Sequence, residues 1–142
     1  MLYWDGRLSP DFSVEYVELP DGRRPARDFI EALDDDAAAK VDVLIDRLRF
    51  FGTQMPAKFS KKLTSDLFEI RVKHFDRIFR VLYFYQPGRL IIVTSGFQKR
   101  TQETPAGELR RAERLRSLWL RYRNRYPESK SVRERILKET GL

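Results

Sequence analysis

Apolar positions recur along the chain with two periods, and the switches between them mark out the elements. Phe12, Val14, Tyr16, Val17 and Leu19 largely alternate with Ser13, Glu15 and Glu18, which predicts a strand over residues 12–19. Pro20-Asp21-Gly22 ends it with turn residues. Pro25 opens a short helix at a first-turn position, where its missing N–H costs nothing. Phe29, Ile30 and Leu33 give that helix one apolar face. Asp34-Asp35-Asp36 breaks it and caps the next helix, where carboxylates meet free N–H groups and the positive dipole end. In that second helix Val41, Leu44, Ile45, Leu48 and Phe51 form the apolar stripe, and Gly52 is its natural stop. The two segments predict a helical hairpin.

Lys58-Phe59-Ser60-Lys61-Lys62-Leu63 then reads as a basic linker. Period two returns in residues 67–73, 78–84 and 89–95. The links are short, His74-Phe75-Asp76-Arg77 and Gln86-Pro87-Gly88, so the three strands form an antiparallel meander. Thr104 as N-cap and Pro105 at the first helical position start another helix. Leu109, Ala112, Leu115, Leu118, Trp119 and Tyr122 are its apolar stripe, and Tyr126-Pro127 stops it. Ser131-Val132-Arg133-Glu134 has a capping-box pattern, so residues 127–142 are either a short terminal helix or a basic tail that orders on binding. The expected fold is α+β: an N-terminal strand and a helical hairpin packed on a small antiparallel sheet, followed by a C-terminal helix. Residues 1–126 make the domain and 127–142 the appendage.

Turn symmetry adds a register. If the first hairpin centres between Phe75 and Asp76, Arg71 faces Arg80. If the second centres between Pro87 and Gly88, Arg80 faces Ser95 and Ile78 faces Phe97. Arg71, Arg80, Ser95, Phe97 and Lys99 then share one face, with Leu82, Ile91 and Val93. Phe68, Ile70, Val72, Phe79, Val81, Tyr83, Leu90 and Ile92 share the other. A slip of one residue would undo this. Like charges directly opposite in a sheet cost a few tenths to about 1 kcal/mol, so the two arginines call for an anion. Glu69 lies on the same face and can supply it. A bound phosphate is the alternative, since a guanidinium fork matches phosphate oxygens and keeps its charge.

Charge favours that alternative without deciding it. The 142 residues carry 28 Lys and Arg against 21 Asp and Glu, a net +7. A basic balance points to an anionic partner, nucleic acid above all, or simply to a solvated surface. The chain has no cysteine and one histidine, His74. That excludes disulfides and thiolate zinc sites, and argues against a His-based metal site or a Ser-His-Asp triad. No metal or cofactor is expected. Met1-Leu2-Tyr3-Trp4-Asp5 lacks the pattern of a signal peptide and no apolar run reaches membrane-spanning length, so a cytoplasmic protein is expected.

Leu67-Phe68-Glu69-Ile70-Arg71, then Phe79-Arg80-Val81-Leu82-Tyr83, then Gly96-Phe97-Gln98-Lys99-Arg100-Thr101-Gln102-Glu103-Thr104-Pro105 resemble, in order and spacing, the phage-derived HigB-like branch of the RelE/ParE toxin superfamily. The resemblance covers roughly residues 12–122. It implies the toxin of a type II toxin–antitoxin pair, an antitoxin partner of helix-turn-helix type, and ribosome-dependent cleavage of mRNA. It also implies that Arg80 contacts the scissile phosphate, with Arg71, Lys99 and Arg100 as further basic site residues. No tyrosine aligns with the catalytic tyrosine of better-studied branches, and their histidines have no match except His74.

RNA carries its own nucleophile, the 2′-OH, so a protein can cleave it by orienting that group and neutralising the charge that develops on the phosphate. The expected catalytic set is Arg71, Arg80 and Lys99. Glu69 is a candidate general base or, equally, a salt-bridge partner. Lys61, Lys62, Phe97 and Arg100 are expected to bind RNA, with Phe97 stacking on a base or packing in the core. Seven arginines between Arg110 and Arg125 form either a solvated face or a dock for ribosomal RNA. Two rival classes remain: a non-catalytic basic module that binds RNA or protein, and a ParE-like gyrase poison on the same fold.

Overall fold

The computed structural model describes residues 10–100 and 102–142. Met1 to Asp5, read above for a signal peptide, and Thr101 of the last motif lie outside the described residues. The elements in chain order are β1 (Ser13–Tyr16), α1 (Pro25–Glu31), α2 (Asp35–Phe51), β2 (Ser60–Lys62), β3 (Phe68–His74), β4 (Arg77–Gln86), β5 (Leu90–Gln98), α3 (Ala106–Tyr122) and α4 (Lys130–Thr140). The α+β expectation holds, with differences that follow from local chemistry.

Pro25 does open α1, and Asp34 does cap α2, its carboxylate accepting from the Ala37 N–H. The same carboxylate takes the Arg77 guanidinium at 2.8 Å, which ties the start of β4 to the α2 N-terminus. The Asp34 carboxyl is held below its ordinary pKa chiefly by that bond. Val41, Leu44, Ile45 and Leu48 are buried as expected, whereas Phe51, in the last turn, is 49% exposed. Gly52 stops α2 with φ +50°, and a Cβ there would sit 2.1 Å from the Phe12 ring.

The sheet has five strands in the order β1-β5-β4-β3-β2. The meander is antiparallel, but β1 runs parallel to β5, so the sheet is mixed. Residues 58–63 are not all linker. Ser60 to Lys62 pair with Ile70 to Phe68 as an edge strand. Both faces of the sheet are covered. On one, α1 and α2 bury Ile70, Val72, Phe79, Val81, Tyr83, Ile91 and Val93. On the other, α3 and α4 bury Leu67, Leu82, Phe84 and Ile92 against Leu115, Trp119 and Ile136.

The first hairpin has the expected register, Arg71 against Arg80. The second does not. Its turn pairs Gln86 with Leu90, one residue off the symmetric guess, so Leu90 and Ile92 exchange faces with Ile91 and Val93. Thr94 then bulges between Val93, opposite Tyr83, and Ser95, opposite Leu82. Its hydroxyl donates to the Leu82 carbonyl at 3.1 Å, which satisfies a polar group with no exposure at all. Beyond the bulge Arg80 faces Phe97 rather than Ser95. The turn offset and the bulge sum to two residues, so the face is restored.

The C-terminal segments are equally anchored. Thr104 does not cap α3; Pro105 occupies that position without a side-chain cap, because the Thr104 hydroxyl is engaged elsewhere. Asn124, at φ +61°, donates to the Tyr16 carbonyl and the Glu15 carboxylate and accepts from the Glu18 N–H, which covers the open edge of β1. Trp119 Nε1 donates to Glu15 as well, at 3.0 Å. Residues 127–142 contain a helix, capped by Ser129 rather than Ser131 and buried at Ile136. Among the described residues no helix is long and apolar enough to cross a membrane.

Gly96 is buried where α1 crosses β5, and a Cβ there would lie 2.5 Å from the Phe29 ring. Gly96→Ala should therefore overpack this contact and lower stability by about 1–3 kcal/mol. A urea midpoint equal to that of the parent would contradict the close packing.

Candidate nucleic-acid interface

Alternation along β3 puts Glu69, Arg71 and Lys73 on the α3 side of the sheet. Cross-strand pairing extends each into a row. Lys61 faces Glu69, then Leu82 and Ser95 follow. Arg71 faces Arg80, and Arg80 faces Phe97. Lys73 faces Ile78, whose carbonyl accepts from the Lys99 N–H at 2.7 Å. Helix α3 packs over the first row and beyond, toward Phe84 and Ile92. It leaves the last two rows partly open: Lys73 is exposed, and Arg71, Ile78, Phe97 and Lys99 are half-buried.

Arg80 is the exception within the open region. It is 2% exposed, and its Nη1 lies 3.1 Å from the equally buried Glu69 carboxylate. Nη1 also donates to the Thr104 hydroxyl at 2.9 Å, and Nη2 to the Gln102 carbonyl at 2.8 Å. Thr104 in turn donates to Glu69 at 2.7 Å. The counter-charge demanded by the facing arginines is thus, for Arg80, an internal one. A strap of chain, residues 102–104, is pinned across the sheet by the guanidinium fork and leads directly into α3. Phe97 packs against the core under α3 on one side.

Arg71 points away from Arg80, toward the β2 edge, where its Nη2 donates to the Ala57 carbonyl at 3.1 Å. The Nε donors of Arg71 and Arg80 are both buried without a protein acceptor. With Lys61, Lys73, Lys99 and Arg100, Arg71 completes a set of cations on or beside this face. Among the described residues none of these five is in an ion pair. The result is a basic strip with a hydrophobic floor, Ile78 and Phe97, and fixed edges.

Other sequence candidates fall elsewhere. Lys62 pairs with Phe68, on the opposite face, and its ammonium rests 5.9 Å from that ring. His74 is buried, its ring 4.6 Å from that of Phe75. Two arginines of α3 lie along aromatic surface: Arg116 over Phe84 and paired with Asp66, and Arg121 over Tyr122. Arg123, just past the helix, lies over Trp119. Lys73 was not singled out in the sequence, although the alternation Glu69-x-Arg71-x-Lys73 carries it. No group of three or more His, Cys, Asp or Glu among the described residues could hold a metal.

A family model described as "Phage derived protein Gp49-like (DUF891)" matches residues 28–117. No curated protein matches the chain.

Removing one partner of a buried ion pair leaves the other charge uncompensated, at about 3–5 kcal/mol. Glu69→Ala should therefore cost that much in chemical denaturation. Thr104→Val, which deletes the bridging hydroxyl, should cost about 1–3 kcal/mol. A loss below about 0.5 kcal/mol for Glu69→Ala would show that the network does not hold the fold.

Proposed function

Because the chain belongs to the Gp49-like family of phage-derived proteins, a family of RelE/HigB-like toxins, we propose that it is the toxin of a type II toxin–antitoxin pair. Its activity in this proposal is metal-independent, ribosome-dependent cleavage of mRNA, and its partners are an antitoxin of helix-turn-helix type and the translating ribosome in the cytoplasm. The observation that carries the proposal is the strip: Lys61, Arg71, Lys73, Lys99 and Arg100, none of them in an ion pair among the described residues, on or beside the half of the sheet face that α3 leaves open.

The chemistry needs little more than placement. The 2′-oxygen of one nucleotide attacks the adjacent phosphorus, the bond from phosphorus to the 5′-oxygen breaks, and the proton leaving the 2′-OH is balanced by one gained at the 5′-oxygen. The products are a 2′,3′-cyclic phosphate and a 5′-OH. Negative charge accumulates on the non-bridging oxygens in between, and fixed cationic donors stabilise it without reorganising. Arg71 and Lys99 stand closest to this role, since both are half-buried at the open rows, Arg71 within β3 and Lys99 directly after β5 with its N–H bonded to the Ile78 carbonyl. Lys61, Lys73 and Arg100 neutralise neighbouring phosphates. Arg80, buried and paired with Glu69, is assigned a positioning role: its fork holds residues 102–104, and with them the chain leaving Lys99 and Arg100. Glu69, locked in the same network, is assigned to that structural role before that of a base.

The test uses changes at residues outside the Arg80–Glu69–Thr104 network. In a translating extract, the parent should produce new mRNA 5′ ends at codon-related positions. The double variant Arg71→Ala and Lys99→Ala should lower the cleavage rate by at least about 10²–10³-fold while keeping the parent's melting temperature. Undiminished cleavage would remove these residues from the site. DNA-damage signalling on induction, with no new 5′ ends, would replace the RNase by a gyrase poison.

A further inference from the structure

The β3–β4 hairpin ends in a two-residue turn, Phe75-Asp76, and the residue at its tip is unexpected. Phe75 is 81% exposed, the most exposed of the large apolar side chains among the described residues. It also has φ +56°, a left-handed conformation that glycine or asparagine adopts cheaply and a bulky side chain does not. Two separate penalties therefore meet at one residue: an aromatic ring in water and a strained backbone. Strain of this kind persists only where surrounding structure enforces it, and it concentrates at functional positions.

The surroundings do enforce it. Arg77, the first residue of β4, is fixed by its bond to Asp34 and lies 5.2 Å over the Phe79 ring. His74, the last residue of β3, is buried with its ring against that of Phe75. The tip is thus contacted on both sides, and most of the Phe75 ring is left in solvent. The nearest cation of the strip along the chain is Lys73, two residues back on β3, with Lys99 beyond Ile78.

We propose that Phe75 is a base-stacking subsite at the end of this strip, and that its ligand is an unstacked nucleobase of single-stranded RNA. The proposal rests on the RNA-binding reading of the strip and extends it beyond the sheet face. Cations bind phosphates without regard to sequence, whereas a rigid aromatic face accepts the flat surface of any base. A phosphate track leading to an exposed ring is the combination that single-strand binders use. Phe97, half-buried against the core, has less of its ring to offer.

The experiment is a binding cycle on the full chain with a short labelled single-stranded RNA, read by fluorescence anisotropy. Phe75→Gly should weaken binding about ten-fold, and Phe75→Trp should preserve it. An abasic nucleotide at one position of the RNA should weaken binding to the parent by a similar factor and to Phe75→Gly hardly at all, since the contact is then already absent. Phe75→Gly should also melt higher than the parent, because glycine relieves the strained φ. If Arg71→Ala weakens RNA binding and Phe75→Gly does not, the subsite is wrong and the strip stands. If the parent binds no RNA, both fall. A lower melting temperature with unchanged affinity would assign the ring to packing on His74 instead and overturn the proposal.

Discussion

Burying Arg80 and Glu69 together takes two charges out of water, at several kcal/mol per ion. That cost is offset by the pairing itself and by the hydrogen bonds around it, which leave the Arg80 Nε without an acceptor. The guanidinium reaches the carboxylate, the Thr104 hydroxyl and the Gln102 carbonyl, and Thr104 closes the loop back to Glu69. A Met–Leu pair of similar volume would fill the space, but it would not specify where the chain crosses. The ionic version does. It fixes residues 102–104 over the sheet, sets the point at which α3 begins, and so divides the face into a covered half and an open one. The candidate interface exists because the strap stops there.

The same network explains why two arginines can face each other across β3 and β4. Their Cβ atoms are close, but their heads diverge. Arg80 turns inward and along the strands to Glu69, while Arg71 turns outward to the Ala57 carbonyl at the β2 edge. One charge is buried in the network, and the other stays half-buried at the edge of the sheet. The two residues are alike in the sequence and differ in role because one lies beneath the strap and the other beside it.

This division was only half legible beforehand. The first hairpin's register followed from its two-residue turn, since a tight antiparallel turn leaves little freedom. The second failed at Leu90 to Val93 because its turn carries an extra residue and the Thr94 bulge another. Neither has a signature in alternation alone: Leu90, Ile91, Ile92 and Val93 are all apolar, so the pattern is the same in either register. The shared face of Arg71, Arg80, Phe97 and Lys99 survived because the two offsets compensate. Glu69 as counter-charge was open from the spacing, whereas burial was not, since nothing local shows that Thr104 would leave its helix cap to bridge the pair. The parallel β1–β5 pairing, too, is set by long-range packing that strand patterns do not encode.

Phe75 shows the converse case. In the sequence it is one residue of a short turn, and a turn aromatic draws no attention. Its meaning comes from φ and exposure, which only the folded chain supplies. The positioning network and the features proposed for RNA differ in how firmly they are held. Arg80 is held by Glu69 and the strap, Arg71 is half-buried on β3 and Lys99 half-buried just past β5, and Phe75 sits in a turn next to Arg77, which pairs with Asp34. A site that relies on preorganised charge rather than on an acid–base pair has to draw its rate from placement. Placement in turn depends on the stiffest parts of the fold, and here Lys61, Arg71 and Lys73 stand on paired strands and Lys99 directly after one.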